Sequence, residues 1–297
     1  MQLIRRFPVL LPLAPLALPI ALVAQVVNPA DKQQPPPSGQ GQPLVVEGRR
    51  VSDLREEDRV GSYGQPEWTT HRRFTETRLY VIPEGSVEFE YWLIPEIPPG
   101  GGTTQTETQY EFEFGLPWRC QLDLYTVAHQ DGNQGPMQFD QQKVEIRHAL
   151  ADWDEIWGNP TLYFEWAANS NVPDHVETKL LFGGEIESSW HWGANLVYEH
   201  ETGAAQENSY EVTGGVSKTL VDQRWSVGAE FKLAFVNSKT DPSAPSLHRS
   251  NTSDELLIGP TVQFRPLPRV HIDVAPLVGV TTDAPDFKLT VVFGYEF

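Results

Sequence analysis

The sequence predicts an all-β fold, an antiparallel transmembrane β-barrel of about twelve strands that follows a short N-terminal segment. Three observations support this prediction. From Gly85 onward, stretches of roughly ten residues alternate apolar and polar side chains between clusters of Gly, Pro, Asn and Asp. Past residue 24 there is no run of about 18 apolar residues, the length that a spanning helix requires. The chain ends in a strand, 287–297, with one entirely apolar face.

The first 43 residues predict a targeting segment and a linker. Arg5 and Arg6 precede an apolar stretch that ends at Ala24, which is the layout of a secretory signal peptide at 1–24. Its repeated prolines argue against a spanning helix. Residues 25–43 are rich in Pro, Gln and Gly and predict a disordered linker.

Residues 44–84 have a mixed composition that allows two interpretations. Ser52 as an N-cap predicts a short helix near 52–59. The segment is either a plug inside the barrel, with its arginines paired to carboxylates, or an ordinary periplasmic extension, because it also contains many acidic residues. The arginines are Arg49, Arg50, Arg55, Arg59, Arg72, Arg73 and Arg78.

The barrel is expected to occupy residues 85–297. An even strand count is typical of bacterial single-chain barrels, and Trp and Tyr side chains fall near both ends of the predicted strands. The alternative is a soluble β-sandwich, which also alternates and buries aromatic residues. The predicted strands lie near 85–95, 104–116, 118–129, 141–150, 160–169, 176–187, 189–200, 208–219, 223–236, 254–265, 268–281 and 286–297.

The connections between these strands predict the orientation. Short turns are expected on the periplasmic side and longer loops outside. The connections on the side of the C-terminus are mostly short, which places both termini in the periplasm, although 151–159 is longer than this rule prefers. Gly100–Gly102 follows two prolines and predicts a hairpin turn on the outer side.

The last strand carries a recognisable pattern. Phe287, Leu289, Val291, Phe293, Tyr295 and Phe297 lie on one face, opposite Lys288, Thr290, Val292, Gly294 and Glu296. This resembles the C-terminal assembly signal of outer-membrane barrels, with Phe293, Tyr295 and Phe297 at its end. The resemblance implies recognition by the barrel-assembly machinery and a location in outer-membrane lipid. Residues 85–297 are also similar to uncharacterised outer-membrane transporter barrels of the type named for phenol-degradation operons.

The face opposite the apolar one predicts an acidic lumen. Rings of carboxylates favour cations in a pore, because fixed charge sets the local potential. The alternative is that these charges pair across strands and fill a narrow lumen. The predicted pore-lining residues are Glu88, Glu90, Glu111, Glu113, Asp123, Glu145, Arg147, Glu165, Glu177, Lys179, Glu199, Glu230, Lys232 and Asp273.

The predicted function is a passive outer-membrane channel or transporter for small solutes, without catalysis or a cofactor. A structural or adhesive surface barrel is the leading alternative, and a lipid hydrolase at the outer rim is a third, based only on His248 and Ser250. His191 and His271 are expected to face inward together with Asp273, as structural or solvated histidines, because no pair of histidines has the spacing of metal ligands on one regular element. Cys120 is the single cysteine, which excludes an intramolecular disulfide, and the net charge of -18 argues against nucleic acid.

Overall fold

The computed structural model describes residues 54–203, 207–222, 224–239 and 250–297. The predicted signal peptide and linker lie outside these residues, as does most of the connection between the predicted strands 223–236 and 254–265. Two short strands and a 3-10 helix precede twelve long strands: β1 Arg59–Val60, β2 Gln65–Pro66, the helix Glu67–Thr70, β3 Val87–Ile97, β4 Gln105–Leu116, β5 Cys120–Asp131, β6 Gln138–Ala149, β7 Thr161–Asn169, β8 His175–Glu187, β9 Trp190–Glu201, β10 Glu207–Val221, β11 Trp225–Lys239, β12 Ser250–Leu267, β13 Val270–Gly279 and β14 Phe287–Glu296.

Strands β3 to β14 form one closed barrel in which each strand is antiparallel to its neighbours in the chain. The first and last strands complete the closure, since Tyr91 on β3 pairs with Phe293 on β14. This confirms the predicted fold and strand number. Strand β12 is longer than predicted, because its ladder with β11 continues to the pair Lys239 and Ser250.

The barrel has two unlike ends, which we call the turn end and the loop end. The turn end holds the start of β3, the end of β14 and tight connections such as Pro117–Arg119, where Trp118 and Arg119 have φ of 62° and 58°. The loop end holds the β3–β4 connection, where Gly100 and Gly101 have φ of 72° and 78°. Glycine adopts this left-handed region without the steric cost of a Cβ. The hairpin turn predicted at Gly100–Gly102 is therefore present.

The outer face of the barrel is apolar and exposed. Large side chains such as Leu162, Phe164 and Phe235 each expose nearly half of their surface. Aromatic pairs lie near both ends, with Tyr198 against Tyr210 toward the loop end and Trp225 against Phe264 toward the turn end. Such a continuous apolar face with aromatic residues at its edges is the pattern of a barrel surrounded by lipid.

Residues 54–86, which we call the inner segment, run from the turn end into the barrel and return to the turn end. Trp68, Phe74 and Val81 are completely buried there. The helix predicted near 52–59 is wrong for the described residues 54–59, which form a turn instead. The Asp58 carboxylate accepts the Arg55 N–H at 2.8 Å, and the Asp58 N–H donates to the Arg55 carbonyl at 3.0 Å. An Asp side chain that bonds to the backbone in this way competes with helix formation. No helix among the described residues is long and apolar enough to cross a bilayer.

Candidate functional site in the barrel interior

The inner segment is anchored to the connections at the turn end. The Tyr63 hydroxyl donates to the Leu116 carbonyl at 2.7 Å, and the Tyr63 carbonyl accepts the Trp153 N–H at 3.0 Å. The Glu56 N–H donates to the Asp222 carboxylate at 3.1 Å. These contacts come from the end of β4 and from two connections, so the inner segment is tied to the barrel rim on several sides.

A small apolar core forms inside the barrel at this end. Trp153 packs edge-on against Trp68 and Tyr80, with ring centroids 5.5 and 5.0 Å apart. The Tyr80 hydroxyl donates to the Ala151 carbonyl at 2.5 Å. The connection 150–160 is longer than the other connections at this end, and its extra residues supply Trp153 and backbone acceptors to the inner segment. Burial of these aromatic side chains is the main apolar contribution to holding the segment in place.

Three glycines on the opposite wall make room for the inner segment. Gly183, Gly193 and Gly215 are register partners on β8, β9 and β10, so they form a continuous row across three strands. A Cβ at Gly215 would lie 2.5 Å from Cδ1 of Phe74, one at Gly183 would lie 2.7 Å from Cδ2 of Leu79, and one at Gly193 would overlap Leu79. Such glycines inside a strand mark the close approach of another part of the chain. We call them the glycine row.

The arginines of the inner segment bind carboxylates on the opposite part of the wall, β3 and β4. Arg72 donates to both oxygens of Glu90, at 3.0 and 2.5 Å, and lies 3.3 Å from Glu113. Arg78 donates to Glu111 at 2.9 Å. All of these carboxylates are buried. A bidentate arginine–carboxylate pair fixes both partners geometrically and offsets part of the large cost of burying their charges.

The pairing continues onto β5 and β6. Arg147 donates to Asp123 at 2.9 Å and also to Glu145. The Tyr125 hydroxyl donates to Glu145 at 2.5 Å and accepts a hydrogen bond from Arg78 at 3.0 Å. We call the connected set the arginine network: Arg72, Arg78, Arg147, Glu90, Glu111, Glu113, Asp123, Glu145 and Tyr125.

In parts of this network the carboxylate oxygens are as close together as the ligands of a metal ion. Glu90, Glu111 and Glu113 bring carboxylate oxygens within 4.8 Å of one another, and so do Glu111, Asp123 and Glu145. Arginine guanidinium groups already lie among these oxygens and supply the compensating positive charge. A divalent cation there would be repelled by the same guanidinium groups, so the geometry favours an ion-pair network.

A histidine links the barrel seam to the network. His271 on β13 contacts Asp273 through Nδ1 at 2.5 Å and Glu88 on β3 through Nε2 at 2.7 Å. Both contacts are buried, and Glu90 lies 3.5 Å from the same Nε2. The imidazole therefore joins β13 to β3 across β14 with fully partnered nitrogens, in a structural arrangement.

Two titratable groups of the inner segment have shifted pKa values. Burial raises the pKa of the Glu67 carboxyl from 4.5 to about 7, although Arg265 opposes the shift. Burial and the nearby Arg265, His271 and Arg73 hold the pKa of His71 well below 6.5. His71 Nε2 lies 3.5 Å from Glu67 Oε1. The inner segment thus carries a neutral imidazole beside a carboxyl that titrates near neutral pH.

The tip of the inner segment reaches the middle of the barrel. The backbone N–H groups of Thr75 and Glu76 donate to the Glu230 carboxylate at 3.1 and 2.9 Å, and the Thr75 hydroxyl donates at 2.9 Å. The Glu76 carboxylate pairs with Lys288 at 2.8 Å. The chain then returns through Thr77, whose hydroxyl bonds to that of Thr213 at 2.9 Å. The tip is therefore attached to β10, β11 and β14.

A cavity of about 660 Å³, which we call the vestibule, lies between this tip and the loop end. Thr75, Glu76 and Arg78 form its floor, and it extends to strand-end residues such as Asp131 and His175. Eight carboxylates and five Lys or Arg side chains line it: Glu76, Glu96, Glu107, Asp131, Glu165, Glu177, Glu199 and Glu211, with Arg78, Lys143, Lys179, Lys232 and Lys288. The volume is within the usual range for small-molecule sites.

The predicted pore-lining residues divide into two layers. One layer lies along the vestibule: Glu165, Glu177, Lys179, Glu199 and Lys232. The other layer is buried around the inner segment: Glu88, Glu90, Glu111, Glu113, Asp123, Glu145, Arg147, Glu230 and Asp273. The terminal residues Phe293, Tyr295 and Phe297 lie on the exposed outer face. The residues His248 to Ser250 fall outside the part of the chain whose side chains are described.

Two parts of this site are not predicted by the sequence. The glycine row had a local signal, since Gly183, Gly193 and Gly215 each interrupt an otherwise regular strand. Lys288 was expected on the inward face of the last strand, and it lines the vestibule. Glu76 had no local signal, because its position depends on the path of the inner segment through the barrel.

Comparisons with known proteins agree with this architecture. No family model matches the chain, and no curated protein matches it. An outer-membrane channel from Pseudomonas putida F1 is similar in structure, with a TM-score of 0.53 and 8% identity over 73% of this chain and 97% of that chain. The NanC porin has a TM-score of 0.48 and 8% identity over 70% of this chain and 98% of that chain. At such identity the likeness to the Pseudomonas putida channel shows the fold alone, so the chain has the architecture of an outer-membrane β-barrel.

Proposed function

We propose that the protein is an outer-membrane channel for small solutes whose lumen is closed at the turn end by the inner segment. The single observation that carries the proposal is the vestibule of about 660 Å³, which ends on the tip of the inner segment. A barrel in a purely structural role has no need of a polar cavity of this size. The fold shared with the Pseudomonas putida channel supports the same choice.

In this proposal the turn end and both termini face the periplasm, and the vestibule opens to the outside. Short turns on the periplasmic side and longer loops outside are the usual arrangement of such barrels. The exposed apolar face meets outer-membrane lipid, and the terminal residues Phe293, Tyr295 and Phe297 are the signal for the assembly machinery. The barrel has a passive role without catalysis.

The vestibule gives the channel a mild preference for cations. Its wall and floor contain eight carboxylates and five Lys or Arg side chains. Most of these charges are paired, as in Lys143 with Glu165 at 3.6 Å and Lys232 with Glu211 at 3.0 Å, which limits the field they produce. The remaining excess of negative charge favours cations in transit.

Planar-bilayer recording tests the closure. The full chain carrying both Arg72→Gln and Arg78→Gln loses the guanidinium groups that hold the inner segment to β3 and β4. We expect its single-channel conductance to rise several-fold above that of the wild type, and a variant lacking 54–86 to conduct still more. The Arg55→Gln change removes one arginine at the exposed start of the segment and serves as the control.

Two outcomes would contradict the proposal. Equal conductance in wild type, double variant and deletion variant would mean that the inner segment does not close the lumen. All three proteins can be shown to be folded by their heat-modifiable mobility on gels. If none of them then carries current, the protein is not a channel. A reversal potential in a salt gradient measures the cation preference in the same recordings.

A further inference from the structure

Three lysines surround the floor of the vestibule. Lys179 on β8, Lys232 on β11 and Lys288 on β14 all line this cavity together with Glu76, the residue at the tip of the inner segment. They come from three separate strands of the wall, so their ammonium groups approach the floor from different directions. We call them the lysine seat.

Glu76 is the carboxylate that occupies the lysine seat. Its ion pair with Lys288 measures 2.8 Å, and its side chain is 10% exposed. Burial alone would raise the pKa of this carboxyl, but Lys288, Lys232 and Lys179 outweigh burial and hold the pKa below 4.5. The Glu76 carboxylate thus interacts favourably with all three lysines, although it belongs to the inner segment and not to the wall.

The three lysines differ in how they are paired. Lys232 has a wall partner in Glu211 at 3.0 Å, and Lys179 has one in Glu177 at 2.7 Å. Among the described residues, Lys288 has an ion pair only with Glu76. Glu96 is the register partner of Lys288 on β3 but is not in ion-pair contact with it. Departure of Glu76 would leave a half-buried ammonium group without a partner, and such a group strongly favours a replacement anion.

We infer that the lysine seat is a binding site for the carboxylate group of a small organic acid, which enters from the loop end and takes the place of Glu76. The inference rests on the proposed function, because the solute reaches the seat through the open vestibule. The solute carboxylate would accept the Lys288 hydrogen bond that Glu76 now accepts. Tyr163, whose ring has Lys179 4.3 Å above its centroid, lies beside the seat and offers an apolar surface to the body of the solute.

The site also explains how a cavity with excess negative charge can accept an anion. Several carboxylates elsewhere on the wall are paired or hydrogen-bonded, as in Glu107 with His129 at 3.2 Å and Glu199 with His175 at 2.7 Å. Overall charge acts on approach, whereas binding depends on the groups in direct contact. At the floor, Lys288 is the ammonium group whose ion pair is with the displaceable Glu76 and not with a carboxylate of the wall.

Isothermal titration of the detergent-folded full chain with succinate, at fixed ionic strength, tests this inference. Putrescine, a diamine with the same number of carbon atoms, is the probe of opposite charge. We expect Glu76→Gln to raise the affinity for succinate by about tenfold, because the internal competitor is gone, and Lys288→Gln to lower it by about tenfold. Glu84→Gln makes the same charge change at an exposed position of the inner segment and should stay within about twofold of the wild type.

The opposite signs expected for the two variants separate binding from a purely structural role, which would weaken both. Equal succinate affinities for Glu76→Gln and Glu84→Gln would overturn the inference, and so would tighter binding of putrescine than of succinate to the wild type. If Lys288→Gln does not fold, Lys232→Gln takes its place with the same expected direction. The titration does not depend on ion current, so its failure is distinguishable from a failure of the channel.

Discussion

At the scale of single residues, the absence of side chains is as informative as their presence. A Cβ on Gly193 would lie against Phe74, Thr77 and Leu79 of the inner segment. Protein interiors are close-packed, so even one added methyl group must displace a neighbour. The glycine row therefore limits how closely the inner segment approaches β8, β9 and β10.

Replacing Gly193 by valine should dislodge the inner segment. Overpacking of this kind costs about 1–3 kcal/mol, and here the cost acts on the segment and not on the strand ladder. We expect faster proteolysis of residues 54–86 and a higher conductance, with the barrel still folded. The Ala194→Val change lies on the same strand but on the outer face, and a similar rise in proteolysis for this variant would contradict the explanation.

Individual residues also show where sequence reasoning succeeds and where it ends. The alternation of apolar and charged residues identified Glu90, Glu111 and Arg147 as inward-facing, because a strand has a period of two. Alternation contains no information on partners across the lumen. Arg72 and Glu90 lie 18 positions apart, and Glu76 and Lys288 lie 212 positions apart, so only the three-dimensional path brings them together.

At the scale of the element, the inner segment combines charged and polar residues with a few large apolar side chains. The sequence predicted a segment here with two alternative locations, since its charges are balanced enough for either. The deciding features are Trp68, Phe74 and Tyr80, which need burial, and the connection 150–160, which covers them. Neither the three aromatic residues nor the connection follows a regular spacing in the sequence, so a pattern of alternation does not predict their packing.

The pKa of Glu67 predicts a pH dependence for the attachment of the inner segment. Its pKa rises from 4.5 when exposed to about 7 in the folded protein, so its contribution is fully present below pH 4.5 and is lost as the pH rises through 7. The Glu67→Gln variant keeps a neutral side chain at every pH. We therefore compare the free energy of attachment of the segment in the variant and in the wild type. We expect the advantage of the variant over the wild type to be about 2 kcal/mol larger at pH 8 than at pH 5.

Hydrogen exchange of the inner-segment amides measures this difference. The Trp68 N–H, which donates to the Glu56 carbonyl at 3.1 Å, is a suitable reporter. His71 has the opposite sign, because its pKa is lowered and its contribution is lost as the pH falls below 6.5. The comparison of Glu67→Gln with the wild type removes this shared effect. An equal stability difference at pH 5 and pH 8 would show that Glu67 does not titrate in this range.

At the scale of the whole molecule, the hydrogen-bond ladder of strands β3 to β14 closes on itself, so each of these twelve described strands is paired on both sides. The sequence predicted this closure well, because length, turn spacing and alternation all act locally along the chain. The strand bounds were less accurate where ladders continue beyond the regular pattern, as at the start of β12. The local sequence pattern is enough to predict the closed barrel because each strand pairs with its neighbours in sequence.

Removal of Phe297 tests the role of the terminal residues at this scale. Phe297 is 62% exposed and contributes little to packing inside the barrel, although its N–H donates to the Val87 carbonyl at 2.9 Å. We expect a chain ending at Glu296 to fold in detergent with nearly unchanged stability but to reach the outer membrane of cells in several-fold lower amounts. The Phe297→Tyr variant is the control that keeps an aromatic end. Equal amounts of all three proteins in the membrane would refute the assembly signal.

The glycine row has a mechanical consequence for the barrel as a whole. In the circular strand order β9 lies six strands from β3 in either direction, so the inner segment connects diametrically opposite walls. Arg72 and Arg78 attach it to β3 and β4, while Phe74 and Leu79 rest on the glycines of β8, β9 and β10. It therefore spans the lumen as an internal strut, so a change in its length or packing would be transmitted to opposite sides of the barrel at once.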